Sequence, residues 1–311
     1  MSSCCLSAVQ VVRFVKFTYG CSSNQSTILR KVPIALAHSL FLRYNCSCAG
    51  QLENADPCVQ SDSFKHWYKN WKELRKYKLT ASTFGQAVGL WPKRRVQLWE
   101  EKIGMIKPLS VRDHMAMRWN NIKEKEAIVR YSLITDNIVS FKNFQVYREM
   151  NVKDNWLAAS PDGVIDKSIN PLPSKGILEI KCPYFDGDKN KMIPWKRLPI
   201  YYVPQAQGLM EILDRDWIDV YGWTINGSSL FRLFRDKEYW QLLETALSDF
   251  WWKHVQPAKE LCKGSKIANS RVYEPKPRHE LLQQIIYQSR CVLNNSEFVM
   301  REIGGKLSHM S

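Results

Sequence analysis

With 311 residues, 45% of them hydrophobic, and twelve Trp, the chain can hold one large domain with extensions or two small ones, and is too apolar to be a disordered polymer. Lys and Arg number 45 against 30 Asp and Glu, a formal charge of +15. That surplus favours an anionic partner, nucleic acid ahead of an anionic membrane surface or a merely solvated basic face. No apolar run reaches the roughly 18 residues that span a bilayer, since residues 32–42 are too few and contain His38. Nine cysteines without an evident framework favour a reducing compartment, nuclear or cytoplasmic, over a secreted one.

Residues 1–60 read as an extension. No acid precedes Glu53, while Arg13, Lys16, Arg30, Lys31 and Arg43 are basic and Ser is frequent. This is the pattern of a poorly ordered leader, a remnant of another domain, or a mitochondrial transit peptide. Cys46, Cys48 and Cys58 suggest a zinc knuckle completed by His66, although the spacing is not C-x-x-C.

Periodicity begins at 62. Phe64, Trp67, Tyr68, Trp71 and Leu74 fall at helical spacing behind an N-capping Asp62, which predicts a helix over 62–78. Shorter helices follow at 80–88 and 96–106, then a longer one at 113–131. Strands are expected at 139–148, 156–159 and 176–181. A helix at 204–213 begins on a proline, strands follow at 217–224 and 230–233, and an amphipathic helix covers 237–254. Beyond 257 the chain turns polar, with helical spacing only at 280–287. The expected domain is therefore 62–257, an α/β fold with a central mixed sheet flanked by helices, and 258–311 is expected to be a polar tail.

The strand over 176–181 carries the chemistry. Its period of two puts Glu179 and Lys181 on one side and Leu178, Ile180 and Cys182 on the other. Upstream, Ser160-Pro161-Asp162-Gly163 offers a second carboxylate in a turn. Carboxylates that hold one or two magnesium ions, with a lysine beside them, can activate water and stabilise the charge that develops on a phosphodiester. Separately each element has a plainer reading, a solvated Glu–Lys pair and an ordinary Pro-Asp-Gly turn. Together, on an apolar strand, they favour a metal site. On the 113–131 helix, positions 120, 124, 127 and 131 share a face, so Glu124 lies in a stripe with Ala127 and Tyr131, a third acid turned inward or else a solvated charge among Lys123, Lys125 and Glu126. At the start of the 204–213 helix, Gln205 and Gln207 can each position a water or phosphate oxygen, or simply be soluble surface.

Taken in order, these elements resemble the lambda-exonuclease/YqaJ branch of the PD-(D/E)xK nucleases, the phage and viral alkaline exonuclease-recombinase family. Arg75 followed by Leu79-Thr80-Ala81-Ser82 resembles its opening element. Trp119, Glu124, Ala127 and Tyr131 resemble its Trp-Gly-x3-Glu-x2-Ala-x3-Tyr helix, with Asn120 where the family has Gly. Ser160-Pro161-Asp162-Gly163, Glu179-Ile180-Lys181-Cys182-Pro183 and Gln205-x-Gln207 follow, and Arg235-Asp236-Lys237-Glu238-Tyr239-Trp240 with Phe250-Trp251 resembles the closing strand–helix unit.

The resemblance implies a PD-(D/E)xK restriction-endonuclease-like core and a Mg²⁺-dependent deoxyribonuclease, with Mn²⁺ able to substitute. It would be a 5′-to-3′ exonuclease on duplex DNA ends, acting in recombination or repair. Asp162, Glu179 and the carbonyl of Ile180 would bind the metal and Glu124 complete its shell. Lys181 and Gln207, with Gln205 nearby, would handle the attacking water, and Arg75 and Ser82 would bind the terminal phosphate. DNA is the implied partner, to which the resemblance adds a second copy of the chain and a single-strand annealing protein, and no membrane. A structure-specific endonuclease of the same fold, or a relative that binds DNA without cutting it, are the alternatives.

Overall fold

The computed structural model describes residues 74–105, 111–151, 155–166, 175–263 and 267–308, which fall in one unit, Lys69–Ser311. The extension over 1–60, the proposed zinc ligands Cys46, Cys48, Cys58 and His66, and the 62–73 part of the first expected helix lie outside the described residues.

Short elements come first. β1 (Leu79–Thr80) leads through a 3-10 turn (Ala81–Thr83) into helix α1 (Phe84–Val88). α2 (Pro92–Lys102) starts earlier than the periodicity suggested because Pro92 supplies the first helical position, where its missing N–H costs nothing. α3 (Val111–Thr135) is the long helix. β2 (Gln145–Val146) and β3 (Leu157–Ala159) join β1 in a small sheet of order β1-β3-β2, parallel between β1 and β3.

The larger sheet contains β4 (Gly163–Ile165), β5 (Gly176–Lys181), β6 (Trp217–Thr224), β7 (Gly227–Phe234), β8 (Glu297–Ile303) and β9 (Lys306–Ser308), in sequence order across the sheet. Only β5 and β6 run parallel, and helix α4 (Val203–Leu213) lies between them in the chain. α5 (Lys237–Asp249), capped by the Asp236 side chain on Tyr239 N, continues through a π-helical turn (Phe250–Val255) into α6 (Gln256–Lys263), and α7 (Leu282–Asn294) precedes β8.

β5 is covered on both faces, as its Ile-Leu-Ile content demands. Ile177 packs in the larger core with Leu209 and Met210 of α4, while Leu178 and Ile180 pack in a second core with Ala127 and Tyr131 of α3. The expected α/β architecture, a mixed sheet between helices, is the one observed. Among the described residues no helix is long and apolar enough to cross a membrane.

Several expectations are corrected. The strand expected over 139–148 reduces to β2 and a single bridge from Ser140 to Val164, and Phe141 between them is 78% exposed. Gly163, read as the last residue of a Pro-Asp-Gly turn, instead opens an edge strand, Gly163–Ile165, on β5. The polar tail is not a tail: Leu282, Ile285, Val292 and Met300 are buried, and β8 pairs along β7. Its Glu302 accepts from Arg130 of α3 and from Ser228 Oγ, so the C-terminal strand helps to seat α3 on the sheet.

Candidate active site

Asp162 stands at a corner. The chain leaves the small sheet at Ala159 and enters the large one at Gly163, and β4 then pairs antiparallel with β5, Gly163 opposite Leu178. This turn brings Asp162 to the strand that bears Glu179 and Lys181. Its Oδ2 accepts a hydrogen bond from the peptide N–H of Ile180 at 2.6 Å. Gly163 is required at this corner, because a Cβ there would come within 2.3 Å of the Val139 side chain.

On β5, Glu179 and Lys181 share the face expected from strand parity, and their side chains meet. Lys181 Nζ donates to Glu179 Oε1 at 2.6 Å and to Gln205 Oε1 at 3.1 Å, while Gln205 Nε2 donates to the same Glu179 oxygen at 2.5 Å. Lys181 also lies over the ring of Tyr202, 5.2 Å from its centre. Glu179 is buried, and its second oxygen, Oε2, has no hydrogen-bond partner.

Glu124 approaches from α3, where Ala127 and Tyr131 are fully buried as the stripe predicted. α3 is held to the sheet by a buried polar network. Tyr131 Oη donates to Asp219 Oδ2 at 2.6 Å, and Arg232 grips both Asp219 oxygens at 2.8 and 2.9 Å. Nearer the site, Asn120 Oδ1 accepts from Cys182 N at 3.2 Å. The departure from the family's Gly therefore supplies a tie between the helix and the end of β5.

The electrostatics report crowding of negative charge. The Glu124 carboxyl is raised above its usual range by burial and by Glu179, against the pull of Lys181 and Lys125. Asp162 is raised well above it, by burial first and then by Glu179 and Glu124, with Lys181 and the Ile180 N–H opposing. Burial works against the Lys181 ammonium, but Glu179 and Asp162 outweigh it and hold the charge. Three carboxylates around one ammonium, with a buried carboxylate oxygen left unpaired, fit a divalent cation, which takes hard oxygen ligands and relieves their repulsion. Asp162, Glu179 and Glu124 are the residues that would hold it.

Gln207 does not join this group. It is buried, its Nε2 donates to Phe234 O at 2.8 Å and its Oε1 accepts from Asp236 N at 2.9 Å. Residues two apart on a helix point away from one another, so Gln205 faces the cluster and Gln207 ties α4 to the start of α5. The expected role of Gln207 in handling water is corrected accordingly. Arg75 and Ser82 are brought together, Nη2 donating to Oγ at 2.8 Å. Lys102 Nζ donates to Arg75 O at 2.6 Å. Gly208 lets α4 press on this segment, since a Cβ there would meet the Phe84 ring at 2.4 Å and Ala81 at 3.5 Å. Tyr202, which sequence reasoning missed as a site residue, carried only one signal, its place just ahead of the α4 proline.

A second cluster, Asp249, His279 and Glu280, has ligand atoms within 4.8 Å of one another. Two of its members already have partners. His279 Nδ1 accepts from Leu281 N, which leaves the proton of the neutral ring on Nε2 facing Asp249, and Lys253 binds the same Asp249 oxygen at 2.8 Å.

A carboxylate at the mouth of one strand, Glu-x-Lys on its antiparallel neighbour and helices on both faces constitute the layout of a PD-(D/E)xK core. Residues 70–216 match the model of the YqaJ-like viral recombinase domain. Among solved structures the chain is similar to an alkaline exonuclease from Laribacter hongkongensis, at 21% identity over 65% of this chain and 99% of that one, with a TM-score of 0.49. The same enzyme in complex with dAMP gives 22% identity over 64% and 99%, also at 0.49. A phage-related exonuclease from Haemophilus somnus 129PT gives 11% over 61% and 96%, at 0.41. No curated protein matches the chain.

Proposed function

We propose that this chain is a divalent-metal-dependent deoxyribonuclease, using Mg²⁺ or Mn²⁺, that digests duplex DNA from 5′-phosphorylated ends in recombination or repair. The observation that carries the reading is the Glu179–Lys181–Gln205 triangle with Asp162 fixed on the Ile180 N–H and Glu179 Oε2 left unpaired in a buried site. A bound divalent cation would supply charge for the phosphodiester and its leaving oxygen. The side chains have separate tasks. Lys181, charged and held between Glu179 and Gln205, orients the attacking water and offsets charge developing on the phosphate. Gln205 fixes the lysine and the carboxylate in one geometry. Arg75 and Ser82, a guanidinium and a hydroxyl already aligned, suit a terminal phosphate. The basic surplus of the chain supports tracking along a phosphate backbone and predicts binding that weakens steeply with salt.

The test is digestion of linear duplex DNA bearing a 5′-phosphate or a 5′-hydroxyl, in magnesium or EDTA, beside a covalently closed circle. Metal-dependent loss of the phosphorylated linear DNA alone is the expected result. Cutting of the circle would indicate an endonuclease, and binding without cutting anywhere would indicate a non-catalytic relative.

A further inference from the structure

Four aromatic rings form a row beside the cluster. Tyr202, against Lys181, has Trp195 on one side at 5.4 Å between ring centres and Tyr201 on the other at 4.6 Å. Trp91 continues the row, 5.4 Å beyond Tyr201. The inner ring is half-buried, but Tyr201 and Trp91 remain 38% and 40% exposed. Trp91 occupies the N-cap of α2 with extended backbone and offers no capping atom, so helix formation does not explain it. Large aromatic faces left open beside a charged site commonly serve to stack a ligand.

The row meets both halves of the proposed site. Trp91 and the Tyr201 carbonyl lie over Gly85, where a Cβ would come within 3.3 and 3.6 Å of them, and Gly85 belongs to the helix that follows the Ala81–Thr83 turn bearing Ser82. Tyr202, inside the row between Tyr201 and Trp195, has Lys181 over its ring. An enzyme that removes a terminal nucleotide holds that nucleotide by two phosphates, the 5′-terminal one and the one being cut. Its sugar bridges the two, and its base projects from that sugar beside them. We propose that Tyr201 and Trp91 form the stacking platform for the nucleobase of the 5′-terminal nucleotide, with Tyr202 keeping the platform in register with Lys181. This rests on the nuclease reading above and adds where the released base sits. Because every base has a π-face, the platform holds all four bases with little preference.

The test is single-turnover release of the first nucleotide from a 5′-phosphorylated duplex whose terminal nucleotide is either normal or abasic, so that both phosphates are kept and only the base is removed. For the wild-type chain, loss of the base is expected to slow release or weaken binding on the order of tenfold. The Trp91→Ala/Tyr201→Ala double variant is expected to lose a similar factor on the normal end and to be indifferent to the abasic one, while Trp91→Phe and Tyr201→Phe retain most of the wild-type response. A wild-type chain that released normal and abasic ends equally well would overturn the platform and leave the nuclease standing, as would a double variant still sensitive to the base. Absence of release from both substrates would overturn the nuclease reading and the platform with it.

Discussion

The peptide nitrogen of Ile180 donates to Asp162 Oδ2 at 2.6 Å, so the residue between Glu179 and Lys181 holds the second carboxylate of the cluster by its backbone. The tie makes the geometry of the cluster independent of the side chain at 180, which faces the other way into the core beneath α3. It also fixes one Asp162 oxygen.

The two glutamines of α4 should separate cleanly. Gln205→Ala is expected to leave the unfolding midpoint nearly unchanged and to slow cleavage, because it loosens Lys181 and Glu179 together. Gln207→Ala removes a buried amide bonded to Phe234 O and Asp236 N, and is expected to cost about 1–3 kcal/mol of stability. Urea unfolding of both variants beside their cleavage rates checks the split, and the reverse pattern would return Gln207 to the site.

Asn120→Gly, which restores the family residue, is expected to be destabilising. It removes the acceptor of Cys182 N and places Gly inside a helix, together about 1–2 kcal/mol. A variant as stable as the wild type would mean that the hydrogen bond contributes nothing.

Arg75→Ala is expected to erase the preference for phosphorylated over hydroxylated ends while the rate on hydroxylated ends stays nearly the same. Competition between the two ends in one reaction measures it, and an unchanged ratio would remove Arg75 from the phosphate pocket.

Lys102 gives a pH signature. Burial lowers its ammonium to about 8 from the ordinary 10.5, with Glu101 opposing and Arg75 and Lys259 adding to the shift. The unfolded chain binds this proton more tightly than the folded one, so the folded state is penalised at neutral pH and the penalty fades as pH rises from about 8 to about 10.5. Lys102→Met is expected to stabilise the protein at pH 7 by about 2 kcal/mol, the relief of desolvation less the lost hydrogen bond to Arg75 O. The gain should vanish by pH 10.5. Urea midpoints across that range read it, and a gain independent of pH would exclude the ammonium as its source.

Much of the site was legible because strand parity and helical spacing are strong local signals. Glu179 and Lys181 share a face of β5, and Ala127 and Tyr131 face the core, as those periods require. Other features depend on partners distant in sequence. Whether Gln205 or Gln207 faces the cluster depends on how α4 rotates against β5 and the β7–α5 junction, and two equivalent amides carry no mark of that rotation. The short β4 gave no periodic signal and exists because Val164 pairs with Ile177. The polar composition after 257 concealed Leu282, Ile285, Val292 and Met300, which are few but fall where α7 and β8 face the core. The aromatic row unites residues from two regions, and only the fold brings Trp91 to Tyr201.

The most direct measurement is nucleotide release from a 5′-phosphorylated linear duplex in magnesium by Lys181→Ala beside the wild type, with DNA binding measured on the same preparations. A loss of cleavage of about a hundredfold or more, with DNA binding largely retained, is the result the account predicts. Cleavage by the variant at the wild-type rate would contradict it and place the chemistry elsewhere in the chain.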